Sequence, residues 1–149
     1  MSEYILKILP EKPLLKISME KLNDVKQFLE ENVTCDAIEI TNYEMPAFID
    51  CGCNLERILC PECDEEIRFD WWHEAMDKVY EKTAFQVLDI TLPCCGKEGN
   101  LDTLQYDMTC GFASCVVSIL NPWCQIENEV WENVQKIMGV GIRLIHAHY

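Results

Sequence analysis

Two cysteine clusters, with 30 residues between Cys63 and Cys94, constrain this chain more than any other feature because they fix which loops must meet. Cys60-Pro61-Glu62-Cys63 has the i, i+3 spacing with which a tight turn aims two thiolates at one ion, and Pro61 helps set that turn. Leu92-Pro93-Cys94-Cys95-Gly96 ends like a second knuckle whose first cysteine has become Leu92. Cys60, Cys63, Cys94 and Cys95 are the expected ligands of a closed tetrathiolate site, and zinc is the expected metal because its structural sites are four-coordinate and rich in cysteine. Adjacent ligands strain the backbone more than a two-residue gap does, so Cys51 or Cys53 is an alternative to Cys94. Reduced thiols packed in a core are the plainer alternative, since free cysteine is among the most buried residue types.

The separation exceeds the roughly 15–20 residues of a simple zinc ribbon. A metal held by the loops at residues 51–63 and 93–96 therefore clips the intervening segment, and its binding contributes directly to folding. Redox chemistry at Cys60 and Cys63 fits less well, because a reactive thiolate needs nearby positive charge while Glu62, Asp64, Glu65 and Glu66 surround this pair. Those carboxylates favour a cation instead. A catalytic zinc would need an open coordination position and a general base, for which His73, Glu74, His146 and His148 are the candidates. His146 and His148 share one strand face with Ile142 and Leu144, which favours a partly buried structural pair over a ligand pair. The deaminase pattern H-x-E followed by P-C-x-x-C is absent, as are a phosphate-binding glycine loop and a recognisable Ser-His-Asp context.

Ten cysteines and an N-terminal stretch without an apolar run of signal-peptide length predict a reducing, cytoplasmic location. The longest weakly polar stretch, Gly111 to Leu120, is ten residues, about half of what a membrane helix needs. Twelve basic against 26 acidic residues give a net charge of −14, which repels nucleic-acid phosphates and anionic lipids. A solvated acidic surface is the ordinary consequence of such a charge. A basic protein partner is the sharper one.

With 149 residues, the chain predicts one α+β domain spanning residues 1–149. Strands are expected at residues 4–9, 37–41, 47–50, 67–69, 111–120 and 142–149, with residues 85–92 also β-rich and a turn at residues 42–46. Three helices are expected: one capped by Ser18 and ending near Asn32, one capped by Asp70, and one ending at Gly139. The sheet can be mixed or antiparallel, and the closing strand, helix and strand can form a βαβ unit or antiparallel neighbours.

From about residue 50 onward the chain resembles an uncharacterised family of small bacterial proteins. The matching pieces are Cys60-Pro61-Glu62-Cys63, Leu92-Pro93-Cys94-Cys95-Gly96, Leu101-Asp102-Thr103-Leu104-Gln105-Tyr106, Gly111-Phe112-Ala113, Asn121-Pro122 and Ala147-His148-Tyr149. The resemblance implies a paired-knuckle metal site and brings no established activity. Asp102-Thr103-Leu104 departs from the Asn-Asp-Leu of the family pattern, which weakens a binding role for the segment after the second knuckle. Together these features point to a metal-stabilised acidic protein that serves as an interaction module, with a zinc-dependent hydrolase as the rival reading.

Overall fold

The computed structural model describes residues 3–53 and 55–149; Met1-Ser2, part of the N-terminal reading above, and Asn54, inside the first cysteine-rich loop, lie outside the described residues. In chain order the elements are β1 (Tyr4–Pro10), α1 (Met19–Asn32), β2 (Ala37–Ile49), β3 (Ile58–Leu59), β4 (Glu66–Ile67), α2 (Phe69–Thr83), β5 (Asp89–Thr91), β6 (Glu98–Asn100), β7 (Gln105–Tyr106), β8 (Gly111–Leu120), α3 (Asn128–Met138) and β9 (Ile142–His148). The chain is thus α+β with three helices, as its periodicities predict.

The main sheet has the order β2-β8-β1-β9, and each neighbouring pair is antiparallel. Consequently β1 and β2 run parallel with β8 between them, and β8 and β9 run parallel with β1 between them. Both helical crossovers are therefore split βαβ units, the arrangement of a ferredoxin-like sheet. In that topology β2 and β8 are joined directly; here residues 50–110 are inserted between them and carry both knuckles and α2.

Helices α1 and α3 cover one face of the sheet. Leu22, Val25 and Leu29 of α1 and Val134 and Met138 of α3 pack on Leu6, Ile8, Ile38, Cys115, Val117 and Ile119. The stop signals act as expected: Ser18 Oγ accepts the Lys21 N–H at 3.2 Å, and Gly139 closes α3 with a left-handed φ of 78°. The inserted segment covers the other face, where Phe48, Leu55 and Tyr106 pack against both the core of the insertion and a smaller cluster around Ile49, Val116 and Ile145. Strand β8 is buried on both faces as a result. Cys115, Val117 and Ile119 share the helical side, whereas Ala113 joins the opposite cluster.

Three local expectations need correction. Residues 37–49 form one strand along β8, and the expected turn at residues 42–46 is a register shift between Asn42 and Ala47. Pro46 is tolerated there because β2 is an edge strand. Helix α2 starts two residues earlier than expected, with Arg68 at the N-cap and no side-chain cap bond; Asp70 lies in the first turn, pairs with Arg68 and favours the helix dipole. Residues 85–92 are mostly not strand, because Ala84 and Phe85 take left-handed φ values of 51° and 65° that end α2, leaving only Asp89–Thr91 to pair with β6.

Candidate metal centre

Each cysteine cluster is the tip of a short hairpin. The first joins β3 to β4, whose pairs Ile58↔Ile67 and Leu59↔Glu66 bring Cys60 N–H within 2.8 Å of the Glu65 carbonyl and Asp64 N–H within 2.9 Å of the Cys60 carbonyl. The second joins β5 to β6, where Leu92 N–H donates to Lys97 O at 2.8 Å and Gly96 N–H to Leu92 O at 3.0 Å. Asp64 and Gly96 both hold positive φ, 62° and 71°, at equivalent places in the two turns. The left-handed residue lets each tip fold back over its preceding carbonyl.

The two tips face one another. Cys60, Cys63, Cys94 and Cys95 place their Sγ atoms within 4.8 Å of one another; Cys60 to Cys95 is 3.9 Å and Cys63 to Cys94 is 3.2 Å. A tetrahedral zinc tetrathiolate with bonds of about 2.3 Å has sulfur–sulfur edges of about 3.8 Å, a value these distances bracket. Cys60 is buried while the other three are exposed. Across the tips, Lys97 Nζ lies 3.7 Å from Glu62 Oε2, which links the two turns.

The thiols ionise unequally without a cation. Burial opposes the Cys60 thiolate, but the backbone N–H groups of Cys63 and Glu62, together with the Cys94 and Cys63 thiols, outweigh it and lower its pKa to about 7. The Glu62 N–H reaches Cys60 Sγ at 3.4 Å. Cys94 is pushed up to about 12, first by its bond with Cys63 and then by burial and by Cys60. Four sulfur atoms at this spacing repel one another once ionised, and a divalent cation is the species that relieves that repulsion.

The remaining candidates lie elsewhere. Cys51 is buried beside Cys110, and neither it nor Cys53 belongs to the four-sulfur group. His146 and His148 are exposed rather than partly buried and stack on Tyr4, with ring centroids 5.9 and 4.7 Å away. Glu74 pairs with Lys78 one helical turn on, and His73 meets Trp72 edge to face. Among the described residues, no histidine or carboxylate joins the cysteine group.

The sequence reading missed two polar contacts that tie the insertion to the sheet. Asp102 Oδ1 accepts from Arg143 Nη1 at 3.0 Å and from the Phe112 N–H at 2.9 Å, while Arg143 Nη2 donates to the Phe112 carbonyl at 2.7 Å. Lys7 donates to Asp50 Oδ1 at 3.0 Å and to the Tyr149 hydroxyl at 2.8 Å. A lone cation inside an apolar strand, Lys7 in β1 and Arg143 in β9, was the available signal for each. Asp102, where the chain departs from the resembled family, is thus engaged in holding the fold. No protein family, curated protein or solved structure matches this chain.

Proposed function

We propose that Cys60, Cys63, Cys94 and Cys95 hold one structural zinc ion and that the metal-stabilised protein is an interaction module for a basic protein partner in a reducing, cytoplasmic compartment. The convergence of four sulfur atoms within 4.8 Å from two separate hairpins supports the metal reading. Four cysteine ligands would fill a tetrahedral coordination sphere and leave no open position for a reacting water, which favours structure over hydrolysis. The net charge of −14 supports a basic partner and disfavours nucleic acid and anionic membranes. In addition, no helix among the described residues is long and apolar enough to cross a membrane.

Metal analysis of the reduced protein together with the visible spectrum of a cobalt-substituted sample tests this reading. One metal per chain, intense thiolate-to-cobalt bands of a four-sulfur site and a fall in melting temperature on chelation are expected. A cobalt spectrum with a bound water would favour the hydrolase. Stability unchanged in strong chelator, in a protein without stoichiometric metal, would sink the structural-zinc reading. For the partner, affinity capture from the native host should recover a basic protein that salt releases; recovery of none counts against an interaction role.

A further inference from the structure

Trp123 is the most exposed large hydrophobic side chain among the described residues, at 68% of its full accessibility, yet it is firmly held. Its backbone N–H donates to Thr34 O at 2.9 Å and its indole Nε1–H to Asp36 Oδ1 at 3.0 Å. The preceding turn is also anchored: Asn121, at a left-handed φ of 47°, exchanges hydrogen bonds with the backbone of Tyr4 and donates from Nδ2 to Asp36 Oδ2 at 3.0 Å. An exposed indole fixed by five such bonds in its loop is preorganised for contact, so little conformational entropy is lost when something docks on it.

Trp123 lines a cleft of about 590 Å³ with Tyr4, Trp131, Leu144 and His146. Residues 124–126 separate it from a second cleft that contains Glu127 and Glu129. Neither cleft has a Lys or Arg among its lining residues. Asp36 accepts at the N–H edge of the Trp123 ring, and Glu127 and Glu129 lie at the N-cap and in the first turn of α3, where they offset the positive end of the helix. Aromatic faces flanked by carboxylates attract cations, because the ring quadrupole and the fixed charges act in the same direction.

We infer that this cleft receives an arginine or lysine side chain of a basic peptide segment, with Trp123 and Trp131 as the aromatic walls. This rests on the reading above that the acidic surface meets a basic protein, and it says where that protein is anchored. The occupant is a cationic peptide rather than a greasy one because the whole chain carries −14, Asp36 is bonded to the Trp123 indole, and neither this cleft nor the adjoining one that holds Glu127 and Glu129 has a Lys or Arg in its lining.

The test titrates a short poly-arginine peptide into the metal-loaded, isotopically labelled full chain. The four indole N–H signals, from Trp71, Trp72, Trp123 and Trp131, are followed by NMR. Saturable shifts of the Trp123 and Trp131 signals, with those of Trp71 and Trp72 still, are expected. Trp123→Ala should weaken binding roughly tenfold, and Asp36→Asn should weaken it in the same direction. Tyr80→Ala, which removes another exposed aromatic, should leave it unchanged. Binding that survives Trp123→Ala at full strength overturns the cleft assignment while leaving the acidic-surface reading intact. Absence of any binding overturns both. Trp123 is mostly exposed, so its variant should keep the wild-type melting temperature and metal content, which are checked in the same samples.

Discussion

Leu92 stands in the second knuckle where Cys60 stands in the first. Each precedes a proline, donates its N–H to the carbonyl five residues on and accepts from the N–H four residues on, between strands paired in the same register. Both side chains are fully buried, at 1% and 0% exposure, but Leu92 packs over Gly99 while the Cys60 sulfur reaches the cluster. The missing sulfur comes instead from Cys94, whose counterpart in the first knuckle is Glu62. The irregular Cys94-Cys95 pair is therefore a displaced version of a symmetric paired-knuckle site.

That equivalence predicts a rescue. Cys94→Ser should weaken zinc affinity by roughly a hundredfold or more, since even partners outside the ligand shell are worth about 10–100-fold. Adding Leu92→Cys should restore most of the loss by rebuilding the symmetric pair, while the smaller core side chain costs about 2 kcal/mol of folding stability. Competition against a chromophoric chelator measures both. A double variant that binds no better than Cys94→Ser would show that position 92 cannot turn towards the sulfurs.

What could be read in the sequence was mostly local. The i, i+3 cysteines, the Ser18 cap, the Gly139 stop and the apolar strand β8 each announce themselves within a few residues. What could not be read depends on distant pairing. Residues 42–46 look like a reversal until β8 is alongside, when they become a shift in one long edge strand. The choice of Cys94 over Cys51 or Cys53 also required the fold, since Cys51 is drawn into a separate cluster with Cys110. The Trp123 cleft has no linear signature, because Tyr4, Trp131 and His146 come from three different elements.

The Asp102–Arg143 pair joins the insertion to the sheet in a largely enclosed setting, with side chains 14% and 23% exposed. Removing one partner leaves the other charge desolvated, so Arg143→Met should destabilise the protein by about 3 kcal/mol in urea unfolding. The solvent-exposed pair Arg68–Asp70 provides the contrast, and Arg68→Met should leave the midpoint almost unchanged. Equal losses from the two variants would mean that the buried pair contributes no more than a surface one.

Gly52 and Gly96 share a φ of 71° but not their surroundings. A Cβ on Gly52 would lie 2.1 Å from the His148 carbonyl oxygen, against which the loop is bonded through Cys53 N–H at 2.8 Å. A Cβ on Gly96 meets nothing within 4 Å. Gly96→Ala should therefore cost about 1–2 kcal/mol for its left-handed conformation alone. Gly52→Ala adds an overpacking penalty and should cost about 3–5 kcal/mol. Thermal or urea unfolding of the two variants decides, and a smaller loss at Gly52 than at Gly96 would contradict the close approach of Gly52 to the His148 carbonyl.

Asp50, Lys7 and Tyr149 close a triangle of hydrogen bonds, the Tyr149 hydroxyl donating to Asp50 Oδ2 at 2.8 Å. Burial opposes the Asp50 carboxylate, but the bonds from Tyr149 and Lys7 and the Lys7 charge outweigh it, so its pKa lies below the usual carboxylate range. Its stabilisation is complete above the unfolded value of about 3.9 and is lost as pH falls through the lower folded value. Burial likewise opposes the Lys7 ammonium, yet its bonds to Tyr149 and Asp50 raise its pKa, so its stabilisation is complete below about 10.4 and lost as pH rises through the folded value. Asp50→Asn should therefore lower stability most between about pH 5 and pH 9, with the deficit closing at either extreme. Urea midpoints of the two proteins across that range measure it, and metal release in acid affects both alike, so the difference isolates the triangle. A deficit constant from neutral to strongly acid pH would assign the loss to packing rather than to charge.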